Sequence, residues 1–293
     1  MLIFDRSVFL HLRFGFSYFL APIFFFALST IDKPVFWNAL LTFIAFHFFI
    51  YPASNGYNSY FDKDEGSIAL IKNPPPVNKS LYYYSLIFDL IGIVICFFVH
   101  PYLAIMAFIY GGISKIYSHP LIRLKKFPIL SFLTVALFQG GFMFFAFVFG
   151  SDKNHELSYL SNQIMLGIII STLLVGAGYP LTQIYQHHED RKRGDKTLSL
   201  LLGIRGTFIF SALLFLSAGI TMYYYYSLMG SKIAFTYFII YMLPVFLFFF
   251  YWAFLAIKNS EQANFKNSMR MNFLSGTCML FYFLGLCVIK FVF

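Results

Sequence analysis

Charge is scarce in this chain. Of its 293 residues only 11% are Asp, Glu, Lys or Arg, against 59% hydrophobic, and the mean hydropathy is +0.73. Soluble domains carry about 25% charged residues, so a soluble globular enzyme is excluded, and the same apolar content excludes a disordered chain. Cysteine is nearly missing too. Cys96, Cys278 and Cys287 all fall in apolar runs and no CxxC occurs. No secreted disulfide framework is available, and the three read as small core residues. The N-terminal stretch MLIFDRSVFLHLRFGF carries Asp5, Arg6 and Arg13 and lacks a small-residue cleavage site, so the first span itself is expected to direct insertion. The net charge of +9 matters less than its placement, and no nucleic-acid partner is expected.

What is abundant is apolar length and aromatic side chains, 42 Phe and 21 Tyr. Near-spanning apolar stretches fall at Phe14–Thr30, Val35–Tyr51, Leu81–His100, Tyr102–Tyr117, Ile129–Phe149, Met165–Tyr185, Phe208–Met229, Ile233–Ile257 and Asn272–Phe293. Each approaches the ~20 residues that a helix needs to cross a bilayer. Pro34, Pro101 and Pro128 stand where helices start. Pro52 and Pro180 interrupt the ends of the second and sixth spans, where a kink or break is expected. With the N-terminus inside, 17 Lys and Arg fall on the cytoplasmic side and 4 (Lys33, Lys153, Lys232 and Lys290) on the other, as the positive-inside rule requires. The fold expected is all-α: a polytopic membrane bundle of nine transmembrane helices, N-terminus cytoplasmic, forming one domain over 1–293. It is read as a multi-pass protein of the cell (inner) membrane, surrounded by membrane lipids, whose active site opens toward the cytoplasm. The longest polar loops, 57–80, 186–206 and 258–270, all lie on that side.

Two of those loops echo each other. Residues 57–66 read YNSYFDKDEG and residues 185–194 read YQHHEDRKRG, and both fit Y-[N/Q]-x-x-x-D-[K/R]-x-x-G. They are four spans apart, so they emerge on the same face with the same helix polarity, as parallel repeats about the membrane normal would. If helices continue into them, Asn58 and Asp62 share a face at i, i+4, as do Gln186 and Asp190. Gly66 and Gly194 would then mark where each helix ends or bends. Each repeat offers an amide and a carboxylate oxygen, with auxiliary acids at Asp64, Glu65 and Asp195 and a further acid at Glu189. Hard oxygen ligands, few in number and beside basic residues, suit Mg²⁺, which keeps several waters and binds through one or two carboxylates plus substrate phosphates. Lys63, Arg123, Lys125 and Arg191, with Lys126, Lys192 and Arg193, are the candidates for binding an anion. The other reading of the basic residues is that they serve topology alone.

At these residues the sequence resembles the UbiA superfamily of intramembrane prenyltransferases. Asn58 and Asp62 match the family's first motif, NxxxDxxxD. Residues 117–125, YSHPLIRLK, resemble its Tyr-Ser-x-Pro-x-x-Arg-x-Lys segment after helix four. Asp190-Arg191 through Gly194, then Thr197-Leu198 and Leu202-Gly203, are similar to the end of its second motif, DxxxDxxxG, with the TL…LG that follows. Two departures stand out. The second acid of the first motif falls on Gly66 and the first acid of the second on Gln186. The Arg-Pro element that usually follows the first motif appears as Asn73-Pro74-Pro75-Pro76. The resemblance implies nine helices, Mg²⁺ as cofactor, and an isoprenoid diphosphate and a lipophilic acceptor as partners. Asn58, Asp62, Gln186 and Asp190 would be the metal-binding and catalytic set, with Lys63, Arg123, Lys125 and Arg191 on the diphosphate.

The family's reaction ionises an allylic diphosphate and lets an electron-rich acceptor attack the carbocation. Such a cation needs a dry chamber and is stabilised by aromatic faces. Tyr57, Tyr60, Tyr117 and Tyr185, beside the motifs, are the candidates to line it. The expected function is Mg-dependent transfer of an isoprenoid chain to an aromatic or other lipophilic acceptor inside the membrane. The alternatives are a terpene cyclase on the same scaffold, and a lipid transporter or binding protein without catalysis. Acids clustered at one face favour the enzyme over a transporter, whose ionisable residues belong at the midplane. Asp89, deep in span three, is the lone exception. It is read either as a proton acceptor or as a structural partner of neighbouring hydroxyls. His187-His188 lack HExxH spacing, so zinc is not expected. Gln139-Gly140-Gly141 is read as a site of close helix packing.

Overall fold

A proline that cannot donate a hydrogen bond decides the shape of the second helix. Pro52 has no N–H to give to the carbonyl four residues back, and the turn before it widens: Ala45–Ile50 is π-helical and the Tyr51 N–H reaches Phe46. A kink or break was expected here, and the helix carries that distortion in the widened turn and runs on through Asp62. The computed structural model describes residues 4–64, 66–154 and 161–292, without the side chains of Arg193 and Val292. Among these the regular structure is all helical, with two isolated bridges, Pro34 to Asp152 and Ile68 to Ile71, and no strands.

The helices are α1 (Arg6–Thr30), α2 (Phe36–Asp62), α3 (Ser80–Val99), α4 (Pro101–Ser118), α5 (Pro128–Ser151), α6 (Asn162–Lys192), α7 (Leu198–Leu228), α8 (Lys232–Lys258) and α9 (Phe265–Phe291). All but α4 are long and apolar enough to cross a membrane, eight among the described residues. The fourth of the nine expected spans coincides with α4, whose 18 residues include Lys115. Polar loop was expected over 186–206, but much of it is helical. α6 tightens to a 3₁₀ turn at Ile184–Gln186, after Pro180, and continues as His187–Arg193. Thr197 then caps α7, its side chain accepting from Leu200 N–H, and Gly203 bends α7 at φ 67°, a backbone only glycine adopts freely.

Two compact units emerge from the packing. The first comprises residues 1–20, 31–125 and 146–156. In it the first turns of α1 pack on α2 and α3 through Val8, Leu12 and Leu81. His11 Nε2 lies 2.8 Å from the Pro75 carbonyl, Ser7 donates to the Pro76 carbonyl and Asn78 to Asp5. The Pro-rich loop is thereby fixed to the N-terminal helix. Helices α2 and α3 approach closely at Gly56 and Gly92, where a Cβ would meet Ser85 Oγ at 2.6 Å and Ile50 Cγ1 at 2.5 Å.

The second unit comprises residues 21–30, 126–145 and 157–293. Helices α7 and α8 pack through Phe208, Phe249 and the fully buried Trp252, whose indole N–H donates to the Gln262 carbonyl. At Gly140, in a π-helical turn of α5, a Cβ would meet the Ser171 carbonyl oxygen at 2.6 Å and Thr172 Cα at 2.8 Å. Those are backbone atoms and cannot swing away, so the packing role expected of the Gly140-Gly141 pair holds. Gly140→Ala is expected to lower the thermal midpoint in detergent, by about 1–3 kcal/mol of overpacking. Gly112→Ala, with nothing within 4 Å, is expected to leave it unchanged.

Candidate functional site

In the first unit the loop after α4 folds onto the last two turns of α2. Asn58 and Asp62 lie one helical turn, ~6 Å, apart on one face. Ser118, the last residue of α4, donates its hydroxyl to Asn58 Oδ1. The ring of His119 packs 5.2 Å from that of Phe61. Lys125 reaches back to form an ion pair with Asp62 Oδ1, the two side chains only 11% and 6% exposed. The loop turns sharply enough for this because Arg123 takes up a left-handed backbone, φ 47°, stabilised by N–H bonds from Ile122 and Arg123 to the His119 carbonyl. Each contact joins a residue of 117–125 to a residue of 57–66, the two segments singled out in the sequence.

Aromatic rings wall this face. Tyr57, Tyr60 and Phe61 cluster with Tyr82 of α3 at centroid distances of 4.9–6.3 Å. Tyr57 is buried and the others half-buried. Tyr117 is half-buried at the end of α4. Helix α2 ends at Asp62, with Lys63 left-handed at φ 47° as its cap. Gly66, expected to end that helix, instead lies three residues past Lys63. Lys63 is exposed and Asp64 half-buried, while Glu65 lies outside the described residues.

The second acidic segment, in the second unit, is held against the start of α7. Thr197 donates to Asp190 Oδ2 at 3.1 Å while also capping α7, and the Asp195 N–H bonds the Asp190 carbonyl. Gly194 closes His187–Arg193 at φ 73°, as expected of a left-handed glycine cap. Asp190 and Asp195 are buried, whereas Arg191 and Lys192 are exposed. Gln186 is half-buried and caps the helix that carries Asp190, at the end of the 3₁₀ turn, so the two do not stand on a regular α-helical face. Tyr185 packs edge-on against Phe265 at 5.3 Å. Polar groups around the segment also bond one another. Gln183 Oε1 accepts from the Ser199 N–H, and His187 Nε2 and Thr207 Oγ1 lie 2.7 and 3.0 Å from Ser199 Oγ.

Sequence reasoning missed three partners here: Ser118 for Asn58, Thr197 for Asp190, and Lys115 for Asp89. The first two sit inside segments already noticed. The third had one signal, since an acid within a span calls for a counter-ion within reach.

The chain belongs to the UbiA prenyltransferase family, whose profile matches residues 19–275. It is a prenyltransferase and a multi-pass membrane protein. Solved structures share the fold. A UbiA homologue from Archaeoglobus fulgidus bound to DMAPP and Mg²⁺ is similar with TM-score 0.70 and 15% identity, over 97% of this chain and 99% of that one. The apo UbiA homologue from Aeropyrum pernix K1 gives 0.69 and 16%, over 96% and 99%. Digeranylgeranylglyceryl phosphate synthase gives 0.63 and 20%, over 96% and 98%. Among curated proteins none matches the chain in sequence.

Proposed function

We propose that the protein transfers an isoprenoid chain from an allylic diphosphate to an aromatic or other lipophilic acceptor within the cell membrane, from a site opening toward the cytoplasm, and that it does so with Mg²⁺. The observation that carries this reading is the folding of Ser118, His119 and Lys125 onto Asn58, Phe61 and Asp62. It puts a carboxylate, an amide oxygen and an ammonium at one helix end, beside aromatic rings. The whole of 1–293 is read as one catalytic domain, with the segments 57–66 and 185–194 as its two acidic arms.

The oxygen donors fit a hydrated hard cation. Among the described residues no three His, Cys, Asp or Glu side chains meet, so in the first unit Asn58 and Asp62 would hold an ion together with substrate oxygens, and Gln186 and Asp190 are the candidate ligands of the second acidic segment. When bound, Mg²⁺ supplies positive charge against the leaving diphosphate. Asp62 and Lys125 keep complementary charges together until substrate arrives. On binding, the Lys125 ammonium would turn to a phosphate oxygen, which would leave the Asp62 carboxylate free to hold the ion. Lys63, Arg123 and Arg191 add cationic charge, and Asp64, Glu65 and Asp195 are auxiliary acids. As the C1–O bond of the allylic diphosphate breaks, its electron pair leaves on the diphosphate. The acceptor's π electrons form the new bond to C1, and the acceptor then loses a proton. Tyr57, Tyr60 and Tyr117 would present faces to the cation and exclude water, and Tyr185 is the candidate for the same role beside the second acidic segment.

Similarity to a homologue solved with DMAPP and Mg²⁺ supports the choice of substrate class. The test is purified protein with a series of allylic diphosphates, Mg²⁺ and a panel of phenols and quinone precursors, read by mass spectrometry. A prenylated acceptor is the expected product. A cyclic hydrocarbon formed without any acceptor would instead assign a terpene cyclase, and no turnover with tight lipid binding would assign a carrier.

A further inference from the structure

A buried carboxylate at the middle of α3 holds a lysine by its head. Asp89 is 6% exposed, and its Oδ2 receives the Lys115 ammonium of α4, while its Oδ1 is buried without a hydrogen-bond partner. The lysine nitrogen also lies 3.4 Å from the Gly111 carbonyl and 5.3 Å from the centroid of the Tyr57 ring. Gly111 makes the room, since a Cβ there would come within 3.3 Å of Asp89 Oδ1.

Three features set this pair apart from a strut between helices. A lysine three residues from the end of its helix ordinarily extends its head outward to the interface, yet Lys115 is turned toward Asp89 and Tyr57. Burying an ion pair strips both ions of hydration, and well-packed apolar residues often hold helices together as well or better. The pair is also unequally covered. The lysine side chain is 22% exposed and the aspartate side chain 8%, so the lysine is the more accessible end. That end stands against Tyr57, the neighbour of Asn58 on α2, one turn of α4 from the Ser118 that bonds Asn58.

We propose that Lys115 is an anion-binding residue of the substrate site, with Asp89 as the counter-ion that lets a lysine wait inside the membrane. Its ligand is an anionic oxygen, either of the allylic diphosphate or of an acidic acceptor such as a phenolate or carboxylate. This inference rests on the prenyl-transfer reading. It makes Asp89 a positioning residue that acts through Lys115, and not a proton acceptor.

The test uses the full-length protein in detergent and two measurements: the Kd of an unreactive allylic thiolodiphosphate with Mg²⁺, and the KM of an acidic phenol set against its O-methyl ether. K115M is expected to weaken one of the two by at least ~10-fold, the loss of one charge-assisted contact. A raised thiolodiphosphate Kd assigns the diphosphate, and a raised KM for the acidic phenol alone assigns the acceptor. K115R restores most of the loss. D89N leaves that same binding unchanged or tighter, because the lysine is released from its counter-ion. Opposite signs for the two variants are something a strut cannot produce. Should K115M prove unstable, the paired D89L/K115M variant removes both charges without leaving one buried alone, and it is expected to weaken the same ligand. The inference is overturned if K115M binds both ligands within twofold of the wild type, or if K115M and D89N weaken binding equally in step with their thermal midpoints. A wild-type protein that neither binds the thiolodiphosphate nor makes product removes the prenyl-transfer reading and Lys115 with it. A competent wild type with an indifferent K115M removes Lys115 alone.

Discussion

Asp190→Asn is expected to lower turnover by about 10²–10³-fold, the loss that follows removal of one group aimed at developing charge, and to leave the thermal midpoint near wild type. Asparagine keeps the shape of aspartate and retains an oxygen for the Thr197 hydroxyl, so the bond to the residue that caps α7 survives. Asp62→Asn is expected to cost as much activity but also stability. It would strand the Lys125 ammonium, whose side chain is only 11% exposed, without its counter-ion, and one partner of a buried pair is expensive to leave alone. The pair of results therefore has a signature. Adding Lys125→Met to Asp62→Asn should recover the thermal midpoint but not turnover. Steady-state kinetics and differential scanning fluorimetry on the four proteins decide it. Activity retained in both single variants would sink the catalytic assignment, and recovery of turnover in the double variant would make Asp62 a partner of Lys125 and nothing more.

Much of this was legible in the chain, and the reasons differ by element. Apolar length marked the helices because in a bilayer backbone groups must be satisfied within the segment. The i, i+4 spacing of Asn58 and Asp62 survives because both lie inside α2. Where that helix stops was misread. The rule that helices end on left-handed glycines pointed to Gly66, but Lys63 adopts that backbone itself, an uncommon choice for a residue with a Cβ. The same rule succeeds at Gly194. Polarity misled over 186–206, where Gln183, His187, Ser199 and Thr207 bond one another inside the second unit. The link between Asp89 and Lys115 has no local signature, since it joins two helices through side chains 26 positions apart. Lys125 was noticed for its charge and as the end of the 117–125 segment, but its place on Asp62 depends on a loop turn that no spacing announces.

Chelation of divalent cations is expected to weaken binding of the allylic thiolodiphosphate by at least ~100-fold. The argument is Coulombic. Asp62 is a carboxylate of low exposure, Asp190 is buried as well, and a diphosphate brings further negative charge. Two like unit charges about 4 Å apart repel by ~4 kcal/mol at the effective dielectric of a protein surface, close to a thousandfold in affinity. Lys125 cannot offset this while it is paired with Asp62, because its charge is already shared. Isothermal titration in EDTA, then with Mg²⁺ restored, measures the difference. Lys125→Met sharpens the result. If the ion neutralises the carboxylates and the lysine holds phosphate, the variant should weaken binding modestly in Mg²⁺, by about one charge-assisted hydrogen bond or ~1.5–3 kcal/mol, and should abolish what remains in EDTA. Undiminished binding in EDTA that disappears with Lys125→Met would leave the basic residues as the whole anion site, and Asp62 would then serve to hold the lysine in place rather than to hold a metal.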